Sequence, residues 1–243
     1  MRLNNLASLL QDMGRLSEAE PLFHQAIEID KAALGETHPD YATDLNNLAT
    51  LLHDMGRLDE AEPLFRQTIE IGKATIGETH PEYAIRLNNL AGLLRDMGRL
   101  DEAEPLFRQA IEIDKATIGE THPNYAIRLN NLANLLRDMG RLDEAEPLFR
   151  QAIEIDKATI GETHPDYATH LNNLALLLEA LNRFEEARPL HAQAVQIDLD
   201  RLGPEHPQSK RDARNFAIAL RRHAPDDPAL AELQATFGAD IGT

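Results

Sequence analysis

Leu45-Asn46-Asn47-Leu48-Ala49 is one copy of a pentapeptide that also stands at Leu3–Ala7, Leu87–Ala91, Leu129–Ala133 and Leu171–Ala175, each copy 42 residues from the next. A worn sixth version, Ala213-Arg214-Asn215-Phe216-Ala217, keeps the register. A fixed period of this size marks a stacked repeat protein, in which each unit buries its apolar face only against its neighbours. Such a chain presents a surface for holding something, and the functional question shifts from catalysis to binding.

Working outward from Leu45, the unit from Thr37 to Glu78 reads as two helices. Pro39 suits a first helical turn, where its missing N–H is no loss, and Thr37 or His38 can cap it. Leu45, Leu48, Ala49 and Leu52 recur at i, i+3, i+4 and i+7, the stripe of an amphipathic helix. Gly56 ends that helix within Asp54-Met55-Gly56-Arg57. A second helix follows Leu58, with Asp59, Glu60 and Glu62 at the positive end of its dipole and Ala61, Leu64, Phe65, Thr68 and Ile69 on its apolar face. Pro63 lies early enough to displace little of the backbone ladder. Ten of the 13 prolines hold two repeat positions, 39, 81, 123, 165, 207 and 21, 63, 105, 147, 189. The fold class expected is all-α, a solenoid of tandem helix–turn–helix units.

Composition bounds the partners. The chain has 243 residues, 42% of them hydrophobic, and a formal net charge of −17. That charge argues against broad attraction to nucleic acid or anionic membrane, both of which need clustered positive charge. No cysteine is present, so disulfides and thiolate chemistry are excluded, and a cytoplasmic setting is expected. No apolar run approaches the roughly 20 residues that span a bilayer. Met1-Arg2-Leu3-Asn4 opens inside a repeat motif, so the first unit reads as clipped and Met1, Leu3, Leu6 and Leu10 are expected to leave apolar surface open to self-association.

The pattern Leu-x-x-Leu-Ala, a turn glycine, Glu-Ala and then Phe four residues on resembles the tetratricopeptide repeat. The 42-residue unit with His-Pro-Asp-Tyr-Ala, Leu-Asn-Asn-Leu-Ala and Glu-Ala-Glu-Pro-Leu-Phe is similar to its kinesin light chain variety. The resemblance covers about residues 1–223. It implies a right-handed superhelix whose concave groove, lined by the first helix of each pair, binds extended peptides.

Asn46, Thr50 and His53 stand at i, i+4 and i+7 on one stripe of the first helix, away from the leucines. The same stripe carries Asn4, Ser8 and Gln11, then Asn88, Gly92 and Arg95, then Asn130, Asn134 and Arg137, then Asn172, Leu176 and Glu179. Asn47, Asn5, Asn89, Asn131 and Asn173 lie about 100° round. An asparagine amide offers donor and acceptor together, so a ladder of them can grip a peptide backbone with little regard to sequence. The competing role is to tie neighbouring helices together. In the last helix Arg211, Arg214, Ile218 and Arg221 share the stripe, with Lys210 and Arg222 adjacent. With Arg95 and Arg137 they predict a basic lane and a preference for acidic ligands; a polar capping helix is the bland alternative.

His38, His80, His122, His164 and His206 share one register. Successive copies sit at least one helix spacing apart, roughly 8–10 Å, whereas zinc needs its imidazole nitrogens near 2.0–2.1 Å. Capping or bonding between repeats is the expected role, and no metal or other cofactor is expected. Asp12, Asp54, Asp96 and Asp138 are expected to pair with Arg15, Arg57, Arg99 and Arg141 three residues on. No phosphate loop, nucleophile elbow or metalloprotease motif occurs, and nearly every feature is repeated four or five times, so no enzyme is expected.

The expected organisation is a clipped repeat (1–36), four full repeats (37–78, 79–120, 121–162, 163–204), a degenerate half repeat (205–223), and a capping helix with a frayed tail from Gly238 (224–243). The expected function is a non-enzymatic scaffold holding an extended, acidic protein segment. The alternative is a self-assembling or sensor module of a larger signalling protein.

Overall fold

The computed structural model describes residues 2–241, and all of the described regular structure is helical. Two compact units divide at Gly119 and Glu120. The first holds three hairpins: α1 (Arg2–Asp12) with α2 (Leu16–Leu34), α3 (Pro39–Asp54) with α4 (Leu58–Thr75), and α5 (Pro81–Asp96) with α6 (Leu100–Thr117). The second holds α7 (Pro123–Asp138) with α8 (Leu142–Thr159), α9 (Pro165–Ala180) with α10 (Phe184–Leu202), then α11 (Pro207–His223), α12 (Pro228–Phe237) and a 3₁₀ turn (Gly238–Ile241). The fold is therefore all-α, of the tandem-repeat solenoid class.

Local chemistry sets these boundaries. Each odd-numbered helix from α3 to α11 starts with proline at its first position, preceded by the register histidine. The Nδ1 of His38, His80, His122, His164 and His206 accepts from the backbone N–H two residues on, at 3.1–3.2 Å. The histidines are N-caps, with the second imidazole nitrogen left to carry the proton. The turns inside the hairpins need a left-handed residue: Gly56 has φ 74°, and in the fifth repeat Asn182 takes the place at φ 60°, asparagine being one of the few side chains that tolerates it.

Within each hairpin the leucines of the first helix close over one aromatic of the second. Phe23, Phe65, Phe107 and Phe149 occupy the same repeat position and are all fully buried. Neighbouring hairpins then stack, α2 on α3 and α4 on α5 in the first unit, α8 on α9 and α10 on α11 in the second. In the second unit the C-terminal segment closes the core, since Leu233, Phe237 and Ile241 pack with Phe216 and Leu220. The expected frayed tail thus differs: residues 238–241 form a turn, and Arg221 Nη2 donates to the Ile241 carbonyl at 2.7 Å. The last two residues of that expected tail lie outside the described residues, as does Met1.

The seam between α4 and α5 carries a testable asymmetry. A Cβ on Gly72 would lie 2.8 Å from Arg86 Nη1 and 3.3 Å from Tyr83 Cδ2, whereas one on Gly92 would meet nothing within 4 Å. Arg86 is 1% exposed and cannot swing away freely. Gly72→Ala is therefore expected to destabilise by about 1–3 kcal/mol through overpacking. Gly92→Ala is expected to stabilise by about 0.5–1 kcal/mol through helix propensity alone. Urea melts of the two variants check both signs.

Candidate peptide-binding layer

In each unit the first helices of successive hairpins lie side by side, α1 by α3 and α3 by α5 in one, α7 by α9 and α9 by α11 in the other. That neighbourhood brings the asparagines together. Asn89 Nδ2 donates to Asn46 Oδ1 at 3.1 Å, and Asn173 Nδ2 donates to Asn130 Oδ1 at 3.0 Å. Asn215 Nδ2 approaches Asn172 Oδ1 at 3.5 Å, and Asn4 Nδ2 donates to Asp44 Oδ1. The second asparagine of one repeat therefore ties back to the first asparagine of the repeat before.

Exposure separates the two series. Asn88, Asn130 and Asn172 are buried, while Asn47, Asn89, Asn131 and Asn173 are half-buried, as are Asn4 and Asn46. In the Asn46–Asn89 pair one donor and one acceptor are used, leaving Asn46 Nδ2 and Asn89 Oδ1 available. Thr50 and Asn134 turn back on their own helices, Thr50 Oγ1 to Asn46 O at 2.9 Å and Asn134 Nδ2 to Asn130 O at 3.0 Å.

The charged positions are tied as well. His53 Nε2 sits 2.7 Å from Asp96 Oδ2, a contact that holds the Asp96 carboxyl below its usual range against the opposing effect of burial. Gln11 makes the equivalent bond to Asp54 at 2.5 Å. The turn aspartates thus take partners from the preceding repeat. The arginine expected to face them turns instead to the second helix: Arg57 Nε meets Glu60 at 2.7 Å and its Nη1 meets Glu20 at 2.6 Å. Arg99 and Arg183 repeat this double tie with Glu102 and Glu62, and with Glu186 and Glu146. The guanidinium fork reaches two carboxylates on two repeats, which a bond to the turn aspartate could not provide.

Of the basic positions, Arg95 and Arg137 are half-buried and lie 3.4–3.5 Å from their neighbours Asp96 and Asp138. Arg211 Nε donates to the buried Asp212 at 2.8 Å with half of its side chain exposed. Arg214 is exposed, and Arg221 is turned to the C-terminal segment.

His191 was not singled out from the sequence, yet it holds the register position of Phe23, Phe65, Phe107 and Phe149. It is fully buried, stacks on Phe216 at 5.7 Å, and bridges Asn172 Oδ1 at 3.0 Å and Glu179 Oε1 at 2.7 Å. The signal was present in the repeat comparison, as the one polar residue in an aromatic column.

These features define a class of protein: tandem helical hairpins that present a layer of polar first-helix side chains. The tetratricopeptide repeat model matches residues 2–74, 45–116, 82–158, 125–200 and 166–237, and the chain belongs to that family. A Podosopora anserina chain with nearly identical TPR-like repeats of the kinesin light chain kind has a similar structure, at TM-score 0.68 and 26% identity over 83% of this chain and 95% of that one. BtubC (BKLC) from P. vanneervenii is similar at TM-score 0.69 and 26% identity, over 84% and 81% of the two chains. PilF of Pseudomonas aeruginosa, at TM-score 0.58 and 17% identity over 96% of each chain, shares the fold. No curated protein matches the chain. Repeats of this family mediate protein–protein interaction, and no described helix is long and apolar enough to cross a membrane.

Proposed function

We propose that the chain is a non-enzymatic scaffold that holds an extended segment of a protein partner along its first-helix layer. The observation that carries this is the half-buried amide row. Asn47 and Asn89 in the first unit, and Asn131 and Asn173 in the second, hold one register position of the repeat, Asn46 lies beside it, and the Asn46–Asn89 pair keeps a donor and an acceptor in hand. A peptide backbone offers the complementary pair. In the second unit Arg137, Arg211 and Arg214 favour carboxylates on the ligand, because guanidinium forks bind them in two places and contacts at short range are screened less than the −17 of the whole chain.

Asn47→Ala combined with Asn89→Ala tests the amide row. Selected from a displayed library of random 12-residue peptides, binders to the wild-type chain are expected to lose at least tenfold in affinity, about 1.4 kcal/mol, with the melting temperature within a few degrees. Unchanged affinity sinks the reading; an acidic bias absent from the selected peptides removes the role of the arginines.

A second reading, self-assembly, rests on one face. Leu9 is 55% exposed, whereas its register equivalents Leu51, Leu93, Leu135 and Leu177 are at 0%. Leu6 on the helix of Leu9, Met13 just past its end, and Ile29 and Leu34 on α2 are also exposed, while Leu10, expected on this surface, is buried. The occupant proposed is a second copy meeting this face with its own, an isologous contact, because the terminal side of α11 is already covered by α12. Light scattering over a concentration series is expected to show dimers that Leu9→Lys abolishes; a strict monomer removes this reading.

A further inference from the structure

Within each unit, each seam between hairpins places two register positions together, one on the second helix of a repeat and one 14 residues later on the first helix of the next. The residue pairs are Asp30 and Asp44, Gly72 and Arg86, Asp156 and His170, and Asp198 and Asp212. In the second seam the chain supplies a cation. Arg86 is buried, its Nη1 donating to Thr68 O at 2.9 Å and its Nη2 to Glu82 Oε1 at 2.9 Å, and Gly72 provides the room. At α8 and α9 it supplies an imidazole, His170 Nδ1 lying 2.6 Å from Asp156 Oδ2.

In the first seam both register positions are acids, and among the described residues no basic side chain is paired with either. A cavity of about 310 Å³ opens there, lined by Asp30, Asp40, Asp44, Asn4, Asn47 and Thr43. That is the lower end of the roughly 300–1,000 Å³ usual for ligand sites. Asp44 lines it while only 2% exposed. One carboxylate oxygen accepts from Asn4, and the other, Oδ2, has no partner. A buried carboxylate oxygen without a partner calls for a cation or a proton. Burial, opposed by the Asn4 hydrogen bond and reinforced by Asp30, raises the Asp44 carboxyl to about 6, so at neutral pH a bound cation has the advantage over the proton.

From this cavity, the unpartnered Asp44 oxygen, and the guanidinium that fills the same register one repeat on, we infer that the first seam is a socket for an arginine side chain of the protein partner. Asp30 and Asp44 offer the paired oxygens that a planar fork engages and a point-charge ammonium does not. The acidic preference proposed above belongs to other residues, in the second unit; the socket adds one required basic position. It rests on the reading that the layer holds a protein segment.

The test uses the full chain and three blocked pentapeptides, Ac-Ala-Ala-X-Ala-Ala-NH2, with X arginine, lysine or citrulline, followed by NMR shifts at α1 and α3. Arginine is expected to bind at least tenfold tighter than citrulline at pH 7.5 and tighter than lysine. Asp44→Asn, folded by circular dichroism, is expected to erase that difference, while Asp101→Asn on exposed α6 leaves it intact. Equal binding of arginine and citrulline, or an arginine preference that survives both Asp44→Asn and Asp30→Asn, overturns the socket. Because these peptides do not span the amide row, that result is distinct from failure of the Asn47 and Asn89 variants, which touches the scaffold reading alone.

Discussion

Raising the pH from 5.5 to 8 is expected to lower the melting temperature of the second unit by roughly 5–10 °C, and Asp198→Asn is expected to remove most of that slope. Asp198 and Asp212 are both at 0% exposure on the α10–α11 seam. Asp198 accepts from Gln208 Nε2 at 3.0 Å and Asp212 from Arg211 Nε at 2.8 Å, and the second oxygen of each has no donor. Burial, then the charge of Asp212, pushes the Asp198 carboxyl up to about 7; burial also raises Asp212, opposed by Arg211 and by His191 nearby. The two carboxyls can rest together only while sharing a proton.

The sign follows from which state holds that proton. A carboxyl whose folded pKa is raised contributes stability that is complete below its unfolded value, near 3.8, and is lost as pH climbs through about 7. The full swing is up to ~4 kcal/mol, at 1.36 kcal/mol per pKa unit. Carboxyls held low by arginine, such as Glu62 and Glu146, work in the opposite direction, gaining stability as pH rises through their ordinary range. Starting at pH 5.5 leaves most of their contribution already in place. Calorimetric scans at half-unit steps decide the matter: parallel profiles for wild type and Asp198→Asn would show that the pair does not share a proton.

Phe65→Ala is expected to cost about 3–5 kcal/mol, the usual range for emptying a buried aromatic position. Phe65 is 1% exposed in α4, in the middle hairpin of the first unit, with hairpins stacked on both sides. In a stacked array each hairpin is stabilised by its neighbours, so a cavity there weakens both of its seams. Hydrogen exchange should accelerate in α3 and α4 first and in α1, α2, α5 and α6 next, with α9–α12 least affected. Uniform acceleration through the whole chain would mean that the array unfolds as one block.

The hairpins were legible because their causes are local. A proline with a histidine one residue before it starts each first helix from α3 to α11, and a turn glycine, or Asn182 in the fifth repeat, follows the end of those from α3 to α9, all visible within one 42-residue unit. The seams were not legible in the same way. Asn46 and Asn89 are 43 residues apart, and whether their amides meet each other or a ligand depends on how closely α3 approaches α5. The stripe of first asparagines, read as outward-facing, is largely covered by that approach, and the second series carries more of the accessible surface. Arg57 chooses Glu60 and Glu20 over Asp54 for the same reason, since Glu20 belongs to another repeat. Column comparison across repeats, which exposes Asp44 among Arg86 and His170, and His191 among phenylalanines, is the reading that comes closest to these contacts from sequence alone.

We propose that a protein segment lies along the first helices, gripped by their amides. The most direct test is a side-chain amide NMR map of the full chain titrated with an extended peptide selected for binding. The Nδ2 resonances of Asn46, Asn47 and Asn89 in the first unit, or of Asn131 and Asn173 in the second, are expected to shift saturably, while Gln67, Gln109 and Gln151 on the second helices stay in place. Shifts confined to those glutamines, with the asparagine amides unmoved at saturation, would contradict the proposal.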